Sequence, residues 1–106
     1  MNSNQEVKFE QVLLEAVDQA KAFNYHPNRF VAMIHSKGPF QTVKDIVASA
    51  KPSDGFNELL LAGRMELTCE AIIVQTQWRR FFDEDLLAIA ERRLTAHGYA
   101  WTRFAE

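Results

Sequence analysis

Residues 55–74, GFNELLLAGRMELTCEAIIV, decide how the chain folds. Phe56, Leu59 and Leu60 recur at helical spacing, and Gly63 stops that run. Arg64-Met65-Glu66-Leu67 then reads as a charged corner. Thr68 stands where a helix cap belongs, immediately before Ala71-Ile72-Ile73-Val74, the most apolar run of the chain. β-Branched residues favour strands, so this run also fits a buried strand. No second stretch is available to pair with it, and an orphan strand leaves backbone groups unsatisfied. The spacing therefore predicts two short helices, about 55–62 and from Thr68 onward, at the centre of an all-α fold.

Working outward, the chain before this stretch supplies three more helices. Ser3 and Glu6 have the spacing of a capping box. Phe9, Val12, Leu13, Ala16, Ala20 and Phe23 then form the apolar stripe of a first helix ending near Asn24. A second helix is expected over Pro27–Lys37, with Phe30, Met33 and Ile34 inward and Gly38 as its stop. Pro39 opens a third, lined by Phe40, Val43, Ile46, Val47 and Ala50, and Ser53 or Asp54 caps the next. Beyond the central stretch, Trp78-Arg79-Arg80-Phe81-Phe82 connects to a last helix. Asp83 is its N-cap, Phe82 and Leu87 a hydrophobic staple, and Gly98 its end. The tail, residues 99–106, is aromatic.

The 106 residues are 47% apolar, with eight Phe and two Trp, and 25% charged. That length and composition support one folded domain, residues 1–106, built as a compact bundle of about six helices. The net charge of −2 provides no global attraction to nucleic acid or acidic lipid. A single cysteine, Cys69, excludes an internal disulfide and a CxxC metal site. No signal-peptide core or membrane-spanning run is present, so a cytoplasmic location is the expectation.

With the elements placed, the sequence resembles a family of small bacterial helical proteins met in mobile-gene, integron-cassette-like settings. The resemblance runs through Met33-Ile34, Gly38, Gly55-Phe56, Leu59, Gly63-Arg64 and Leu67-Thr68. It continues through Glu70-Ala71, Trp78, Phe81-Phe82, Arg93-Leu94 and Gly98-Tyr99. Where the family pattern has Leu-Asp, this chain has Met65-Glu66. The resemblance covers most of residues 30–99 and implies a helical fold; it carries no activity.

Arg64, Glu66 and Glu70 are the sharpest polar group. They fit an Arg–carboxylate corner tying two helices better than an acid–base pair or metal site, because no His or Cys stands at ligand spacing beside them. His26, His35 and His97 are scattered and form no metal motif, and Cys69 has no partner base. Lys37, Lys44 and Lys51 are seven apart. The two helices around Gly38 have the length of a helix-turn-helix, with Gln41, Thr42, Lys44 and Asp45 expected outward. Clustered basic charge is lacking, so nucleic acid is not the expected partner.

Trp78, Tyr99, Trp101 and Phe104 are residue types enriched at protein interfaces, and equally types that complete a core. No catalytic residue, cofactor site or metal site is expected. The reading is a small binding protein acting through protein–protein contacts or self-association, with a homodimer included. A nucleic-acid-associated or regulatory helical module is the alternative. An enzyme ranks third, and an apolar pocket for a small ligand stays open.

Overall fold

The structure, a computed structural model describing residues 2–105, contains six α-helices: α1 (Ser3–Ala20), α2 (Asn28–Lys37), α3 (Pro39–Ala48), α4 (Asp54–Leu61), α5 (Cys69–Gln75) and α6 (Glu84–Ala96). Three 3-10 turns, Lys21–Phe23, Met65–Leu67 and Gln77–Phe81, join them, and the described residues include no strand. The radius of gyration is 12.8 Å, close to the roughly 13 Å of a folded domain this long.

Local chemistry accounts for most boundaries. The Ser53, Thr68 and Asp83 side chains accept from the amides of Phe56, Ala71 and Leu86, opening α4, α5 and α6. The box that opens α1 lies one residue earlier than expected. The Asn2 side chain accepts from the Gln5 amide at 2.8 Å and the Gln5 side chain from the Asn2 amide at 3.1 Å, leaving Ser3 and Glu6 exposed within the helix. An amide side chain at each position performs the same reciprocal satisfaction. Pro27 precedes α2 as its N-cap rather than entering its first turn. Gly38 has φ 87° and ψ 162°, so it reverses the chain through the mirror-extended region and joins α2 directly to α3, a conformation closed to L side chains.

The core gathers where α1, α3, α5 and α6 meet. Phe9 stacks on Phe40 with ring centroids 4.6 Å apart and leans on Trp78 at 5.0 Å; Phe81 and Phe82 close around them. Ala71, Ile72, Ile73 and Val74 are all buried, with α3 and α6 on neighbouring sides. A helix keeps its backbone bonds internal, which is how a run apolar on every side sits in the centre. Two inward assignments move: Val17 is buried where Val12 is half-buried, and Ala50 is exposed because α3 ends at Ala48.

Candidate ligand cavity

The polar corner divides in two. Arg64 Nε donates to Glu66 at 2.6 Å and its guanidinium reaches Gln19 on α1 at 2.9 Å. Both members are more than a third exposed. Burial raises the Glu66 pKa, and the Arg64 hydrogen bond, a backbone hydrogen bond and the Arg64 charge together outweigh it, leaving the carboxyl below its usual range.

Glu70 belongs to a different pair. Its carboxylate is 1% exposed and accepts from Arg93 Nη1 at 2.9 Å; Arg93 Nη2 donates to the Ser49 carbonyl at 2.8 Å. One guanidinium thus ties α6 to α5 and to the segment after α3. Burial pushes the Glu70 pKa up against the pull of Arg93. Cys69 stands beside it, and burial followed by the Glu70 charge pushes the thiol pKa up as well. At neutral pH it is a thiol, without the character of a nucleophile.

The remaining candidates stay apart or turn inward. Among the described residues no group of His, Cys, Asp and Glu is arranged to hold a metal. His97 closes α6, with Nδ1 2.8 Å from the Arg93 carbonyl. Thr42, expected on an exposed recognition face, is fully buried, and its hydroxyl donates to the Gly38 carbonyl. Lys37 and Gln41 both bond Asp45, which lowers its pKa and pairs the Lys37 charge. Arg79 is likewise engaged by Glu91.

Trp78, a candidate interface residue, is 6% exposed and sits in the aromatic core, where it has no free face for a partner. Tyr99, Trp101 and Phe104 are half-buried. Gln75 donates to the Tyr99 hydroxyl, Trp101 Nε1 donates to Thr95 at 2.8 Å, and the Phe104 amide reaches the Val74 carbonyl at 3.2 Å. The tail therefore lies along α5 and α6.

A hollow lies elsewhere. A cavity of about 630 Å³, open to solvent, lies between α1, α2, α3 and α4. Its walls carry Leu13, Ala16 and Val17 of α1, Phe30 and Met33 of α2, Ile46 of α3, Phe56 and Leu59 of α4, and Leu67 and Ile72. Thr68, Cys69 and Glu70 also line it, while Tyr25, His26, Arg29, Asp45, Lys51 and Asp54 supply its polar lining.

The Tyr25 hydroxyl meets Gly55 so closely that a Cβ there would lie 3.2 Å from it. Tyr25 thus joins the turn before α2 to the start of α4 across the cavity. Burial, then the charges of Glu58 and Asp54, raise its pKa. The hollow is a solvent-open cleft of about 630 Å³. It falls within the roughly 300–1,000 Å³ of small-molecule sites.

The sequence announced this cavity only indirectly. Ala16, Phe30, Met33 and Ile46 are apolar at helical spacing, the pattern of a core face, yet all four are half-buried and line it. Periodicity identifies an inward face and not what fills the space before it. No family model, curated protein or solved structure matches the chain.

Proposed function

We propose that this chain is a small binding protein whose site is the cavity between α1, α2, α3 and α4, and that it acts by holding an apolar molecule or group there rather than by catalysis. The observation that supports this reading is the volume of about 630 Å³ behind apolar walls. Water gains little in such a space, and an apolar occupant is removed from bulk water at roughly 25 cal/mol per Å² buried. No helix of the described residues is long and apolar enough to cross a membrane.

A second reading, contact with another protein or a second copy, is favoured by Leu61, which projects from α4 at 82% exposure. Both readings are of a binding protein, and they use opposite faces of α4. Binding to nucleic acid has less support, because Lys37, Arg79 and Arg93 are already paired with carboxylates.

One set of thermal melts and sedimentation runs separates the two. With octanol added, the wild-type chain is expected to melt several degrees higher, and Ala16→Phe, which places a ring in the cavity, to lose much of that gain. If octanol leaves the melting temperature unchanged, the cavity reading fails. If the chain sediments as a dimer and Leu61→Lys returns it to a monomer, the contact reading stands in its own right; a wild-type monomer at all concentrations removes the self-association form of it.

A further inference from the structure

The polar groups of the cavity differ in whether they are already satisfied, and that difference bears on the occupant. This inference rests on the cavity being a ligand site and adds the chemistry of the ligand. Deep in the cavity, Glu70 is held by Arg93, and the Thr68 hydroxyl donates to the Met65 carbonyl while accepting from the Ala71 amide. Neither is left seeking a partner. The apolar lining of the cavity comes from α1, α2, α3 and α4, with Leu67 and Ile72. A polar group placed there would lose its water and gain no hydrogen bond. The buried part of a ligand is therefore apolar.

The other polar lining residues are arranged differently. Arg29, one residue into α2, and Lys51, in the segment joining α3 to α4, both line the cavity and are exposed. Neither has a carboxylate partner among the described residues. Tyr25, which also lines it, packs its hydroxyl against Gly55. Against these stand two acids. Asp45 is already engaged by Lys37 and Gln41, whereas Asp54 has no cation partner among the described residues and interacts favourably with the first turn of α4. Among the charged lining residues two cations and one carboxylate lack an ion-pair partner, and since Glu58 and Asp54 both place negative charge near the Tyr25 phenol, an anion is favoured on the side of Arg29 and Lys51. A cationic head would meet two like charges, and a neutral one would accept hydrogen bonds without the added strength of a charged acceptor.

We propose that the cavity takes an apolar molecule bearing one acidic head, an alkyl or aromatic carboxylate, with the body between α1, α3 and α4 and the head beside Arg29 and Lys51. The exposed position of both cations keeps the contribution of the head modest, because solvent and salt screen it.

The test is calorimetric titration at pH 7 and low salt with octanoate, octanol and octylammonium, on the wild-type chain and on the double variant R29Q/K51Q. Octanoate is expected to bind the wild type roughly five- to tenfold more tightly than octanol, and octylammonium more weakly than either. In the double variant the preference for octanoate disappears while octanol binds as before, which also shows that the variant keeps its fold. Equal binding of octanoate and octanol by the wild type, or preference for octylammonium, overturns the acidic head and leaves the cavity reading intact. Loss of octanol binding in the double variant overturns it too, since the two side chains would then be supporting the cavity itself. Failure of all three probes to bind the wild type removes the cavity reading and this inference with it.

Discussion

At the residue scale the decisive group is the Glu70–Arg93 pair. Glu70 is 1% and the Arg93 side chain 8% exposed, so removing the guanidinium strands a carboxylate out of water. Arg93→Ala is expected to cost about 3 kcal/mol in urea unfolding at pH 7, against about 0–1 kcal/mol for Arg64→Ala, whose pair is open to solvent. The stranded carboxyl relieves itself by taking a proton. Burial already holds the Glu70 pKa above its ordinary value in the intact pair and loss of Arg93 raises it further, so the Arg93→Ala penalty grows once pH passes that raised wild-type pKa and shrinks toward acid. Equal losses for the two variants, or a penalty independent of pH, would contradict this assignment.

The sequence brought Arg64, Glu66 and Glu70 together because they are close in the chain, and two of the three do pair. The partner of Glu70 lies 23 positions away, in another helix, beyond the reach of any local spacing rule. Caps were legible for the opposite reason: Ser53, Thr68 and Asp83 each act on an amide three residues on.

At the scale of elements, α5 and the tail carry the most information. Seven residues, most of them apolar, make a poor helix alone. α5 persists because Thr68 closes one end, Thr76 bonds the Ile72 carbonyl at the other, and neighbours cover every side. The tail offered two readings in sequence, core or interface, since aromatics serve both. Its hydrogen bonds to Gln75, Thr95 and Val74, and the ion pair of Arg103 with Glu91 at 3.2 Å, bind it to α5 and α6. Deleting residues 99–106 is expected to lower the unfolding free energy by on the order of 2–3 kcal/mol, the worth of partly burying aromatic side chains. An unchanged urea midpoint would mean that the tail contributes nothing to the domain and is free for another role.

At the scale of the molecule, the glycines, caps and aromatics between Gly63 and Gly98 are occupied with holding the fold. Thr68 caps α5, Glu70 and Arg93 form the buried pair, Trp78 and Phe82 build the aromatic core, and Gly63 and Gly98 take positive φ where helices end. Fold class was legible for that reason: capping, glycine stops and apolar periodicity all agree on six helices. The cavity was not, because its walls obey the same apolar periodicity as a filled core. Only the spatial arrangement of α1, α2, α3 and α4 shows that a hollow is left among them.

That open space is the basis of the functional proposal, and methyl NMR tests it most directly. In a chain labelled at its methyl groups and titrated with octanol, the signals of Leu13, Val17, Ile46, Leu59, Leu67 and Ile72 are expected to shift together and saturate. Those of Val43 and Leu94, buried but away from the cavity, should stay in place. Shifts spread evenly over the surface, or none at all up to the solubility of the probe, would contradict a binding site between α1, α2, α3 and α4.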